Sequence, residues 1–402
     1  MLTPSQKIVH DLAVKQYYDD SIQLIEYSGG PGRGKTYVLN EILKTIGLGI
    51  NQIAPMTFTG TAAINMRRKG IATAKTAHSW LYEPYEVPCK DKNGNVLYDY
   101  RLNRPLMTRR FRPKDLTDDI KLIVVDEAGG IPESIAKQIK AQNKKIIATG
   151  DIDQLPPVGE PRGFFLNPDS VMRLTENMRQ GSGQYNGIEY LAQRALAGLP
   201  LHCGYYGNNA LVIPRSKLTK ELLLWADCLI CNRNATRDTF NNIYRNMLGY
   251  GNYKLPRHGE PIICKENVWD IEIDGINLVN GLRGIVYSYP DPSIVDFKAK
   301  SFSLDFLANN MYTPFLNIDV DLAYFNADSG TRKKLKEHSV RYSTDGLYFE
   351  YGYAITSYAA QGSEYDKVIY IQEPMNRSID NKLDYVGITR ASKFLIVVLN
   401  YG

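Results

Sequence analysis

Residues 28–37 read SGGPGRGKTY, with Gly29, Gly34, Lys35 and Thr36 in the spacing GxxxxGK[ST]. The stretch follows an apolar run, IQLIEYSG, and opens a helical pattern, KTYVLNEILKTI. A turn with this spacing belongs where a buried strand feeds a helix over the face of an α/β sheet. Its glycines let backbone N–H groups close on phosphate oxygens at a helix N-terminus, where the helix dipole also favours an anion. In that cradle of Gly30, Pro31, Gly32, Arg33 and Gly34, Lys35 reaches the β and γ oxygens and Thr36 ligates Mg²⁺. Kinases, switches, transporters and motors all use such a loop, so the remaining residues must say what the nucleotide is for.

Similar apolar runs recur between helical patterns: QIAPMTF, KLIVVDEA, KKIIATGD and VMRLTEN, then DCLICNR, KVIYIQE and FLIVVLN after Met178. Runs of this length, bounded by turn residues, read as parallel strands. For 402 residues, at roughly 100 to 200 per domain, two α/β domains in tandem are expected. Two segments break the rhythm. Glu83 to Asp115 carries an Asn93-Gly94 pair between strand-like residues, a β-hairpin signal. Tyr253 to Asp345 reads as short β pieces, including EPIICKEN, GIVYSY and FLNIDVDLAYF, and predicts a small β-rich module. The expected order is 1–82 and 116–182 for the first domain around a hairpin at 83–115, and 183–252 and 346–402 for the second around the module at 253–345.

Composition narrows the class further. No apolar run reaches the roughly 20 residues of a membrane span, and the N-terminus, MLTPSQKIVHDLAVKQ, lacks the apolar core of a secretory signal, so a cytoplasmic protein without membrane partners is expected. A formal net charge of +5 permits nucleic-acid binding without arguing for it. Three basic clusters stand out, at Arg67–Lys69, Arg109–Lys114 and Arg332–Lys336, and each by itself reads as a solvated face. Cys228 and Cys231 form a CxxC inside an apolar run, where a strand sends them to opposite faces, so a metal role is not expected.

Hydrolysis needs more than a cradle. LIVVDEAGG places Asp126 and Glu127 at a strand end, where Asp126 can hold Mg²⁺ and Glu127 can polarise an attacking water. IIATGDIDQLPPVG offers Gln154 before a rigid Pro-Pro turn, as a γ-phosphate sensor on the next strand end. Arg179 and Arg390, far apart in sequence, supply guanidinium groups for a transition-state charge that spreads over the phosphoryl oxygens.

The ordered set GGPGRGKT, VVDEAGG, GDIDQLPPVG, ENMRQ, YAITSYAAQGSEYDKV and YVGITRA resembles the superfamily 1 helicases, most closely their Dda-type and RecD-type branch, and covers nearly the whole chain. The resemblance implies an α/β fold of two RecA-like P-loop domains, a pin hairpin in the first and an SH3-like β-rich insertion in the second. It implies that Gln6 reads adenine, that Lys35, Thr36, Asp126, Glu127 and Gln154 form the hydrolytic set, and that Arg179 and Arg390 are arginine fingers. Gly362 and Glu364 would touch phosphate and ribose. For the strand it points to Thr59, Gly60, Thr76 and His78 on the first domain, and to Arg233 and Asn234 on the second. Tyr98 and Tyr100 of the hairpin are candidates for stacking on a base or for cross-strand packing. Where relatives carry a histidine, a basic residue and a hydroxyl, this chain has Tyr358, Ala359 and Ala360, so Tyr358 is expected to stack in place of a phosphate contact.

The implied activity is ATP- and Mg²⁺-dependent translocation on single-stranded DNA, 5′ to 3′, with unwinding of forked or tailed duplex. An RNA helicase and a nucleic-acid-stimulated ATPase switch are the alternatives. The expected partners are DNA and replication proteins, and the expected state is a monomer. Replication, repair and recombination are not distinguished by these residues.

Overall fold

The computed structural model describes residues 2–90, 93–99, 103–178, 186–289, 300–338, 346–375 and 379–400. The apolar runs of the first half form one six-stranded sheet, in the order Met172–Arg173, Leu24–Ser28, Lys145–Gly150, Leu122–Val125, Ile53–Thr57, Lys75–Thr76. Every pairing in it is parallel. Helices cover both faces, which is why the inner strands Ile53–Thr57 and Leu122–Val125 are buried at every residue and do not alternate. On one side, Val9 and Ala13 of helix Pro4–Tyr17 and Val38, Leu39 and Ile42 of helix Lys35–Ile46 meet Ile25, Leu122, Val124 and Ile147. On the other, Ile135, Ala136 and Ile139 of helix Glu133–Ala141 meet Ile123, Val125, Ile146 and Ala148.

A second six-stranded sheet runs Gly204–Tyr206, Ala210–Pro214, Ala391–Leu399, Tyr365–Gln372, Cys228–Cys231, Ala354–Thr356. It is parallel apart from its first pair. Cys228 and Cys231 lie in a strand buried at every residue. Leu191 of helix Gly187–Leu196 and Leu383 and Val386 of helix Asp380–Thr389 pack on one face; Phe240 and Tyr244 of helix Asn234–Met247 pack on the other.

The hairpin insertion stands apart from the first sheet. Its stem pairs Tyr82–Pro88 with Met107–Pro113 antiparallel. The Asn93-Gly94 turn is present, closed by the Lys90–Val96 bridge, with Gly94 at φ 88°. Beyond it Tyr98–Asp99 pairs with Arg104–Pro105, so the tip holds a second fold-back that the Asn-Gly signal alone does not announce. The β-rich insertion is a five-stranded antiparallel sheet, Phe315–Asp321, Ser301–Ala308, Arg283–Ser288, Pro261–Cys264, Phe349–Tyr351. Its last strand lies past residue 345, where the β-like pattern of the sequence was expected to end. DLAYF, expected as strand, turns helical from Leu322 to Asn326 because the Asp321 carboxylate caps it, accepting from the Tyr324 N–H at 2.7 Å.

Arg332 corrects the reading of its cluster as a solvated face. It is buried, donates to the carbonyls of Tyr324 and Phe325, and pairs with Asp238 at 3.2 Å. Beside it Arg237 pairs with Glu350 at 2.8 Å. Burial opposes ionisation of Glu350, but Lys265, Arg237 and Arg332 outweigh it and hold the carboxyl below its usual range. This cluster ties the insertion to helix Asn234–Met247 of the second domain.

Gly387 lets helix Asp380–Thr389 sit on the sheet, since a Cβ there would collide with the Tyr370 ring. Gly387→Ala is expected to destabilise the protein by about 1–3 kcal/mol through overpacking, read as a lowered denaturation midpoint with an unchanged m-value.

Candidate nucleotide and strand site

Ser28 pairs with Gly150, and Val125 with Ala148, so three neighbouring strands end on one edge. The phosphate loop, the Asp126-Glu127 pair and the loop bearing Gln154 therefore emerge side by side, as ligand loops do in parallel sheets. Gly32 and Gly34 take φ 78° and 77°, the left-handed region that turns the loop into helix Lys35–Ile46. Lys35 Nζ donates to the carbonyls of Gly29 at 2.8 Å and Gly30 at 3.4 Å. A cleft of about 1120 Å³ is lined by Pro31, Gly32, Arg33, Gly34, Lys35, Thr36, Asp126, Glu127 and Gln154 of the first domain and by Gly362, Glu364 and Arg390 of the second. Gly30 lies in the adjoining small pocket, beside Tyr385.

The electrostatics of the cleft are costly. Burial pushes the Asp126 carboxyl up to about 6, the Glu127 charge pushes the same way, and Lys35 opposes both. The Glu127 N–H donates to Asp126 Oδ1 at 2.9 Å, and Glu127 itself sits at φ 53°, left-handed backbone that a side chain disfavours. A buried carboxylate and a hydroxyl at a helix N-terminus are oxygen ligands that suit a divalent cation, and the Lys35 ammonium beside them suits phosphate oxygens.

Arg390 is buried, with its guanidinium donating to the carbonyls of Val386 and Ser363, both at 3.2 Å. Arg179 and Tyr100 lie outside the described residues. Gln6 is buried against the phosphate loop: its Oε1 accepts from the Thr3 N–H at 3.1 Å and its Nε2 donates to the Arg33 carbonyl at 3.3 Å. Its amide is thereby engaged at both ends, beside the loop and not on the lining of the cleft.

Most of the strand candidates have partners within the chain. The Thr59 and Thr76 hydroxyls cap helices, accepting from the N–H groups of Ala62 and Ser79. Gly60 is buried under the β-rich insertion, where a Cβ would come 2.5 Å from Val279 Cγ2. His78 stacks on Tyr82 and leans on Trp269 of the insertion, and burial lowers its pKa, which is the behaviour of a packing residue. Arg233 donates to the Pro374 carbonyl at 2.6 Å, and Asn234 accepts from Arg237 at 3.1 Å. Tyr98 is exposed on the hairpin, whereas Tyr358 is half-buried against the core of the second domain.

Several pairings that bind the site together, some of them within the motifs, are not announced by any spacing in the sequence. Glu176 accepts from the Ser5 N–H and the Thr3 hydroxyl, both at 3.1 Å, and from the Ser5 hydroxyl. The Ser5 hydrogen bonds, with Thr3, hold its carboxyl down to about 2. Arg33 crosses the cleft to Glu189 at 3.1 Å. Asn65 donates to the Gly362 carbonyl at 2.7 Å, and Gln361 to the Leu155 carbonyl at 3.2 Å. Only the pairing of such residues in space distinguishes them from ordinary surface polar groups.

An AAA-domain family model matches residues 10–160, and a UvrD-like helicase C-terminal domain model matches residues 351–398. The Pif1 helicase from Candida albicans superposes with a TM-score of 0.53 at 16% identity, over 100% of this chain and 95% of that one. A Pif1 helicase from Bacteroides, solved with ADP-AlF3 and ssDNA, gives 0.52 at 14% identity over 99% and 92%. In sequence, 173 residues are 31% identical to an uncharacterized protein of Methanocaldococcus jannaschii, MJ1519; they are 39% of this chain but only 14% of that relative's length. The structure shares with these solved helicases the fold of two RecA-like domains, and the two family matches fall one in each domain.

Glu176→Ala should free the first turn of helix Pro4–Tyr17 and with it Gln6. A lost cap of about 1 kcal/mol corresponds to roughly five-fold faster amide exchange at Ser5 and Gln6, measured by hydrogen exchange, with the Lys145–Gly150 strand unchanged.

Proposed function

We propose that this chain is an ATP-dependent DNA helicase that steps along single-stranded DNA as the cleft between its two α/β domains closes and opens. The observation that carries the reading is the shared cleft. The phosphate loop, Asp126, Glu127 and Gln154 face it from one domain, and Gly362, Glu364 and Arg390 from the other.

The residues divide the work. Backbone N–H groups of residues 30–36 hold the β and γ phosphates, and Lys35 exchanges its carbonyl partners for phosphate oxygens. Thr36 and Asp126 fit a bound Mg²⁺, which would neutralise charge on the phosphate oxygens. Glu127 orients and deprotonates the attacking water, Gln154 contacts the γ-phosphate, and Arg390 stabilises charge spreading onto it in the transition state. Because Arg390 belongs to the second domain, closure and catalysis are one event. Alternating closure around a strand held by backbone and stacking contacts then yields sequence-independent stepping. The exposed hairpin is the element suited to part a duplex, with Tyr98 toward the junction. The relatives solved at forked DNA and with ssDNA are Pif1 helicases, and their fold supports the same substrate here. By family resemblance the polarity is 5′ to 3′, and the working unit is a monomer.

ATP turnover should rise at least about ten-fold on adding single-stranded DNA and less on adding RNA, and 5′-tailed duplexes should be unwound in preference to 3′-tailed ones. Lys35→Ala should lower turnover by roughly 100-fold while keeping most strand affinity. Turnover indifferent to any nucleic acid would refute the helicase reading, and stimulation without strand separation would favour an ATP-driven binding switch.

A further inference from the structure

The loop that carries Gln154 is held from both domains. From its own domain, the Ser28 hydroxyl accepts from the Ile152 N–H at 3.0 Å, and Arg162 donates to the carbonyls of Ile152 at 2.9 Å and Gln154 at 3.2 Å. From the second domain, the Tyr385 hydroxyl donates to Asp151 Oδ2 at 2.7 Å, and Gln361 donates to the Leu155 carbonyl at 3.2 Å. Gln154 thus lies between two hydrogen bonds that cross the cleft. The other Asp151 oxygen accepts from the Asp153 N–H at 3.0 Å, so a shift of the carboxylate is transmitted to the backbone just before Gln154.

Tyr385 is well placed to act as the lever. Its side chain and Asp151 are 2% and 1% exposed, so the phenol–carboxylate bond is shielded from water, where a charge-assisted hydrogen bond is strong and its loss is not made good by solvent. Its hydroxyl also lies 3.2 Å from where a Cβ on Gly30 would stand, wedged between the phosphate loop and the sensor loop. Tyr385 shares helix Asp380–Thr389 with Arg390, which forms that helix's C-cap. One rigid element therefore carries both the arginine and the contact to the sensor loop.

We propose that Tyr385 is a positioning residue: through Asp151 it sets Gln154 as the second domain closes, so that the γ-phosphate sensor and Arg390 arrive together. This rests on the motor reading above. With Tyr385 bonded to Asp151, Gln154 is held in register with Lys35 and Glu127. When the domains part, the bond is stretched and the sensor loop is left to its first-domain contacts alone. Strand binding that shifts the second domain is thereby felt at the phosphate through one hydroxyl.

The test is steady-state ATP turnover, with and without single-stranded DNA, for the full chain, Tyr385→Phe, Asp151→Asn and the double variant. Tyr385→Phe removes only the hydroxyl. Its DNA-stimulated kcat should fall roughly ten-fold, while KM for ATP and strand affinity stay close to those of the unsubstituted protein and Tm falls only by what one buried hydrogen bond contributes. Asp151→Asn should fall similarly, and the double variant no further than the worse single one, because both remove the same contact. Tyr385→Phe with stimulated kcat within about two-fold of the unsubstituted protein overturns the inference and leaves the motor reading standing. So does a kcat loss that disappears when turnover is measured well below the variant's Tm, or effects of the two substitutions that multiply. If the unsubstituted protein is not stimulated by DNA, both readings fall together.

Discussion

The strand Lys145–Gly150 is hydrogen-bonded between Leu24–Ser28 and Leu122–Val125, in a register that ends all three at the same edge. From that pairing follow the neighbourhood of Lys35, Asp126 and Gln154 and the side of the sheet that the second domain must approach. The strands are held there by burial on both faces, so the edge is rigid while the loops beyond it are free to specialise. What the loops carry is unfavourable in isolation. Asp126 is buried next to the charge of Glu127, and Glu127 sits in left-handed backbone. Stability lost in this way is a mark of functional sites, where the surrounding scaffold over-determines a strained arrangement.

The two domains meet through polar contacts at the cleft and apolar ones beside it. Arg33 to Glu189, Asn65 to Gly362 and Tyr385 to Asp151 are single hydrogen bonds or ion pairs that can be exchanged. Ala63 and Ile64 of helix Gly60–Arg68, by contrast, are buried in the core of the β-rich insertion with Ile276, Val279 and Leu282. Phe111 of the hairpin also touches Trp269 there, edge to face. The insertion thus contacts the first domain and the hairpin while being anchored in the second by the buried Arg237, Arg332 and Glu350 cluster. It is in contact with the first domain, the hairpin and the second domain at once.

Much of the fold was legible because parallel strands buried on both faces leave long apolar runs, as in LIVVDEA and KKIIATGD, and because Gly32 and Gly34 are needed at positive φ. The convergence of Lys35, Asp126 and Gln154 on one edge was legible for the same reason: local spacing puts each just past a strand end. The strand side was not. Thr59, Thr76 and Gly60 match a family pattern, yet the structure engages them in helix caps and packing. Gln361, beside the Gly362 of the same motif, donates across the cleft to the Leu155 carbonyl. The burial of Arg332 depends on partners far along the chain, Asp238 and Glu350 among them, which no local pattern reports. Tyr385 and Asp151 are 234 residues apart, and nothing short of the fold pairs them.

The central claim is that nucleotide and strand close the cleft between the domains. Cys203 is exposed while Cys89, Cys228, Cys231 and Cys264 are buried, so the second domain offers one natural labelling site. Lys137, whose side chain is 72% exposed on the first domain, can be replaced by cysteine for the other. Resonance energy transfer between the two labels should rise when a non-hydrolysable ATP analogue and single-stranded DNA are added together, and return when the nucleotide is removed. Unchanged transfer while both ligands are shown to bind would contradict a motor that works by domain closure.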